Sequence, residues 1–248
     1  MIKFFRKIRQ KLISEGKTIN YLKYAIGEII LVVIGILIAL QINTWNEQRK
    51  DDSTLKIYYN QILDDFKKDQ IFIEKLSFHL DSNMVKYTAY KQKQQLTNLT
   101  IDESLEYIGN LNWLTSDVQF QTITINTLQS SGDIKLIPSE IRNKLIELKT
   151  LQDQTISSAK FNNGLYAERV GYANRFSGGG DFLKGNLNNS KIAREILDEN
   201  NKIQWLFGLQ NSQEAKMIGE RKTLQLLKEI KLNIDEITKL INKELENN

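Results

Sequence analysis

The chain has 248 residues, a formal net charge of +4 (34 Lys and Arg against 30 Asp and Glu), one histidine and no cysteine. Without cysteine there are no disulfides, no thiolate nucleophiles and no cysteine metal ligands, and the fold is indifferent to an oxidising compartment. The positive charge does not imply nucleic-acid binding, because it is concentrated at one end. Residues 1–23 carry Lys3, Arg6, Lys7, Arg9, Lys11, Lys17 and Lys23 against Glu15 alone, which leaves everything after them slightly acidic.

That basic arm begins MIKFFRKIRQKLI, with Ile2, Phe5, Ile8 and Leu12 at helical spacing. The pattern predicts an interfacial amphipathic helix, with Phe5 towards the acyl chains and Arg6, Lys7 and Arg9 among anionic head groups. An alternative is a basic flank that only sets topology. The run Ala25 to Ile42, AIGEIILVVIGILIALQI, follows, and its centre, Ile29 to Leu40, contains no polar residue. Tyr21, Tyr24 and Trp45 sit where interfacial aromatics anchor a span. From Tyr21 to Trp45 a helix runs about 36 Å at ~1.5 Å per residue, enough for a ~30 Å hydrocarbon core. We therefore expect a transmembrane helix over residues 24–45. Cations before a single span hold that side in the cytoplasm, so residues 46–248 are expected in the periplasm. The run ends without an A-x-A pattern, which fits an uncleaved signal anchor.

Glu28 lies within the apolar stretch. At 100° per residue it shares a face with Gly35 and Ala39, and Gly35 to Ala39 is a small-x-x-x-small motif that lets helix backbones approach closely. Glu28, Gly35 and Ala39 are therefore the candidate helix contact, with a second copy or another membrane protein as partner. An alternative places Glu28 at the cytoplasmic interface, paired with Lys23 or a cation of the arm. A further alternative is a titrating Glu28 in an ion-coupled complex or a transmembrane sensor.

The run from MIKFFRKIRQ through YAIGEIILVVIGILIALQINTWNE resembles the N-terminus of a large family of bacterial single-span envelope proteins known only as a domain-of-unknown-function family. A weaker likeness continues through TLQSSGDIKLIPSEIRNKL and the C-terminal helix. The resemblance implies an inner-membrane anchor with a helical periplasmic domain, and it implies no activity.

Beyond the span, Leu55, Tyr59, Ile62, Phe66, Ile73, Leu76, Leu80, Tyr87 and Tyr90 recur at three and four, with Asp69 and Asn83 as polar interruptions, and predict one helix from near Thr44 to near Gln95. Thr100-Ile101-Asp102-Glu103 has capping-box spacing for a short helix ending near Asn110. A helix over Val118 to Ser131 is expected to stop at Gly132, although the alternation in QTITIN also fits a strand. Asp133 to Ile137 reads as an extended connector, and Pro138 opens a helix running to near Arg175 with Gly164 and Gly171 as weak points. Residues 177–190, rich in Gly and Asn, read as a flexible loop. A short helix over Lys191 to Leu197 precedes a last long one, Lys202 to Glu246, in which Gly208 and Gly219 are tolerated.

These stripes bury best against one another, so the fold class is all-α: a single transmembrane helix followed by an up-and-down bundle of long helices. His79 reads as structural, and acidic pairs such as Asp64-Asp65 read as a solvated face. No nucleophile, phosphate-binding or zinc motif occurs, so neither enzymatic activity nor a metal or other cofactor is expected. The function that fits is a membrane-anchored interaction protein, associating with itself through the span at an anionic membrane surface.

Overall fold

The computed structural model describes residues 18–96, 98–177, 191, 195 and 198–247. The expected arm helix, with Phe5, Arg6, Lys7 and Arg9, lies outside these residues. So do residues 178–190 of the expected loop and most of the short helix after it. The chain divides into two compact units, Met1–Ile57 and Tyr58–Asn248. Helix α1 (Thr18–Lys93) contributes to both and has no interruption.

In the first unit the apolar run is exposed on every side: Ile29, Ile30, Leu31, Ile34, Leu37, Leu40 and Ile42 are all at least half exposed. This part of α1 is long and apolar enough to cross a membrane, and none of its most apolar 18-residue window is buried.

The second unit is built on a heptad stripe. Tyr59, Ile62, Phe66, Asp69, Ile73, Leu76, Leu80, Asn83 and Tyr90 of α1 are buried, at the three-and-four spacing that keeps one helix face on the core. After α1 comes α2 (Ile101–Gly109), opened by a capping box: the Thr100 hydroxyl accepts the Glu103 amide, and the Glu103 carboxylate accepts the Thr100 amide at 2.8 Å. Helix α3 (Ile123–Ser131) is followed by a 3-10 turn, Asp133–Leu136. Helix α4 (Ser139–Ala173) runs into a second 3-10 turn, Asn174–Phe176, and α5 (Glu199–Asn247) completes the unit.

Side-chain pairs give the topology. Along α1 and α5, Gln70 meets Asp235 (2.7 Å), Asn83 meets Glu220 (3.1 Å) and Tyr90 meets Gln210 (2.8 Å), so these helices are antiparallel. Helix α4 is likewise antiparallel to α5, through Lys144 with Glu236 and Arg169 with Asn211. The descending element between α1 and α4 is composite. It pairs with α1 in reverse order, Asn112 with Asn83, Phe120 with Phe72, Gln121 with Asp69 and Asp133 with Tyr58. The path is thus up, down, up, down, with an irregular second leg.

Three expectations need correction. Helix α3 begins at Ile123, five residues later than Val118. Non-helical backbone before it buries Val118 and packs Phe120 edge-on against Phe72, and the Gln121 amide is taken by Asp69. QTITIN is helical from Ile123 onwards, so the strand alternative is not adopted. The connector Asp133 to Ile137 is a 3-10 turn closed by the Ile137 amide on the Ile134 carbonyl. It follows Gly132, which occupies the left-handed region (φ 80°).

Gly208 and Gly219 are contact points, not merely tolerated. A Cβ on Gly208 would lie 2.7 Å from the Ala173 Cβ, and one on Gly219 would lie 2.9 Å from the Asn162 Cβ, so their absence lets α4 and α5 pack closely. Gly164 and Gly171, expected as weak points, lie within unbroken α4, where an added Cβ would meet nothing within 4 Å.

Candidate functional site

The structure offers two places to look for function: the face of the span, and a polar interior of the bundle that the sequence pattern did not reveal.

On the span, Gly35 and Ala39 are exposed and Glu28 is half-buried, within continuous helix. A Cβ added at Gly35 would meet no atom within 4 Å, so the face is open to a neighbouring helix. Trp45 is 63% exposed. Tyr21 and Tyr24 fall in α1, and their side chains are outside the described residues.

The polar interior has two centres. In the first, Asp69 of α1 is buried and accepts the Gln121 amide at 2.8 Å and the Gln152 side-chain amide at 3.0 Å. Burial pushes its carboxyl up to about 6, the neighbouring Asp65 adds to the shift, and the two hydrogen bonds oppose it. Asp65 itself accepts the Thr124 hydroxyl at 2.6 Å, so one member of the Asp64-Asp65 pair faces inward. The Gln152 carbonyl oxygen is buried without a partner.

In the second centre, Lys216 and Glu220 of α5, both buried, pair at 3.7 Å. Burial raises the Glu220 carboxyl and lowers the Lys216 ammonium from their ordinary values, while their mutual attraction works the other way. Lys216 also donates to the Asn112 carbonyl and lies 5.5 Å from the Tyr166 ring centroid. Glu220 accepts from Asn83, whose carbonyl accepts the Asn112 side chain. That side chain also lies 3.2 Å from His79 Nε2. His79 is thus the exposed end of a network that begins at a buried ion pair.

Together these groups hold residues 112–122, which belong to no helix. Tyr166 donates to the Trp113 carbonyl at 2.9 Å, Asn163 to the Ser116 carbonyl at 3.1 Å, and Gln213 to the Asn112 carbonyl. A segment outside any helix leaves its backbone groups unpaired unless side chains or water take them, and here side chains take the carbonyls of Asn112, Trp113 and Ser116 and the amide of Gln121.

Beside the ion pair, between Ser116, Asn162, Tyr166 and Thr223, is a cavity of about 20 Å³, room for one water molecule and too small for a substrate. A shallower groove of about 430 Å³ follows α4 and α5 past Leu165, Tyr172 and Phe207. Its cation, Arg169, is held by Asn211. Among the described residues no group of three or more His, Asp or Glu is placed to hold a metal ion. The interior chemistry therefore clamps a non-helical segment in place.

The sequence pattern missed this interior because it counts a polar residue as a surface residue. The one available signal was register: Asp69 and Asn83 occupy core positions of the α1 heptad, where a polar side chain needs a buried partner.

The architecture defines a class: an all-α protein in which one bare apolar helix, fit to cross a membrane, precedes a helical bundle. The chain belongs to the family of unknown function DUF6090, which it matches over residues 28–212. The match takes in part of the apolar run, the polar interior of α1 and α4, and the first part of α5. No curated protein and no solved structure matches the chain.

Proposed function

We propose that this protein is a single-span scaffold of the bacterial inner membrane, with a cytoplasmic basic arm and a bundle on the periplasmic side that serves binding and assembly, not catalysis. Copies associate through the face bearing Glu28, Gly35 and Ala39. What carries the reading is the bare apolar helix: a run from Ile29 to Ile42 exposed on all sides needs an apolar solvent. Cations concentrated before that run supply the orientation.

The test has two parts. A reporter fused at residue 248 should be active in the periplasm, and activity in the cytoplasm would reverse the topology. Gly35→Ile should lower the detergent-solubilised mass towards a monomer, because a branched side chain prevents close backbone approach. Glu28→Gln keeps size and hydrogen bonding and should leave that mass unchanged. If it abolishes the cellular phenotype with assembly intact, an ion-coupled role for Glu28 takes the place of the scaffold.

A further inference from the structure

The outer face of α1 in the bundle carries a second apolar stripe. Counting from the buried heptad positions Ile73 and Leu80, the position farthest from the core is filled by Ile71, Phe78 and Val85, which are 47%, 78% and 70% exposed. Seven residues advance a helix by 700°, so the three lie within about 40° of one another and extend over roughly 21 Å. Both neighbouring faces of α1 are occupied. Gln70 and Lys91 reach α5, while Phe72 and His79 reach the descending leg, so the stripe lies along the side of α1 that no other element covers among the described residues. An amphipathic helix whose only contacts are on its inner side carries polar residues there.

We propose that this stripe is a contact between two copies of the chain, packed parallel and in register through Ile71, Phe78 and Val85. The charges beside it select the partner and its direction. Glu74, one oxygen of which accepts from Lys231 of α5 at 2.9 Å while the side chain stays largely exposed, and Asp81 lie on one flank, and Lys75 lies on the other. In a parallel two-fold pair, one flank of each helix faces the opposite flank of its neighbour, which sets Lys75 against Glu74 of the second copy, twice by symmetry. In an antiparallel pair like flanks meet, and Glu74 would face Asp81 of the second copy, acid against acid. At the N-terminal end of the stripe, Lys67 and Lys68 are balanced by Asp64 and Asp65, and Lys68 lies 3.8 Å from Asp65.

Three side chains fall well short of the ~800 Å² per partner of a stable soluble interface. The contact therefore rests on the reading that copies are already gathered by their spans, which raises the effective concentration enough for a small interface to close.

The chain lacks cysteine, so a single introduced thiol reports unambiguously. In native membranes under mild oxidation, Phe78→Cys should give a disulfide-linked dimer at least ten times faster than Leu232→Cys, an equally exposed position (70%) on α5. Ile71→Cys and Val85→Cys should each form dimers with themselves. Equal rates at positions 78 and 232 would overturn the proposal, and so would a product of Phe78→Cys with any mass other than twice the chain. A mixed dimer between Ile71→Cys and Val85→Cys, without the two self-dimers, would overturn the parallel register. The span is tested separately by Gly35→Ile. If that variant loses mass in detergent while Phe78→Cys does not cross-link, the stripe contact is wrong and span association stands. If Phe78→Cys cross-links while Gly35→Ile leaves the mass unchanged, the stripe holds and the span contact is wrong.

Discussion

The two units use the same residue types against different surroundings. In Met1–Ile57, the isoleucines and leucines of the apolar run lie around the whole circumference of α1 and are exposed among the described residues. In Tyr58–Asn248, the same residue types occupy one side of each helix, and Leu145, Leu227, Ile230, Ile234 and Ile241 are completely buried. The bundle also encloses an ion pair and a carboxylate, which the apolar run does not. Hydrophobicity alone does not separate a span from a core; the periodicity of the polar residues does.

The sharpest way to break that contrast is to remove a polar group from the bundle and an apolar one from the run. Lys216→Ala leaves Glu220 buried without its cation and takes a donor from the Asn112 carbonyl, and should cost about 3–5 kcal/mol in denaturant unfolding followed by circular dichroism. Leu37→Ala, at a position more than half exposed and outside the bundle unit, should change bundle stability by less than about 0.5 kcal/mol. Similar losses from the two would show that the run packs against protein.

The next effect is pH-dependent. The folded Asp69 carboxyl stands at about 6 against an ordinary 3.8, so the folded chain holds that proton more tightly than the unfolded one. Stability from this group is full below about pH 4 and is lost as pH rises towards 6, by at most roughly 3 kcal/mol, with no further change above. Asp69→Asn should remove this slope, leave stability at pH 4 unchanged and raise it at pH 8 by about 1–3 kcal/mol. Its amide can donate to the Gln152 oxygen that now lacks a partner. An unaltered slope in the variant would assign the titration to another group.

Smaller still are the glycines of the α4–α5 interface. Gly208→Ala forces a methyl against Ala173 and should destabilise by about 1–3 kcal/mol. Gly164→Ala places its methyl in open space on the same pair of helices and should stabilise by about 0.5–1 kcal/mol, through helix propensity. Two changes of equal sign would mean that propensity, and not close approach, governs both sites.

What could be read beforehand follows from how local each signal is. The Thr100 capping box, the left-handed Gly132 and the start after Pro138 depend on a few adjacent residues, and the α1 stripe depends on one helix alone. The non-helical path of residues 112–122 has no such local cause. Its shape is set by Asp69, Asn163, Tyr166, Gln213 and Lys216, which come from three different helices. Gly208 was legible as a glycine, but the need for it lies in Ala173, thirty-five residues away.

The clamp on residues 112–122 bears on how this protein can change over generations. Most of its grips are on main-chain atoms, the carbonyls of Asn112, Trp113 and Ser116 and the amide of Gln121, and every residue type except proline carries both groups. Thr115, Asp117 and Gln119, exposed positions between the gripped ones, are therefore free to drift, while the gripping residues are fixed to their chemistry. Among relatives, the mutable letters should fall on the held segment and the immutable ones on the distant helices that hold it. An alignment read by itself would mark that segment as unimportant, even though the bundle closes around it.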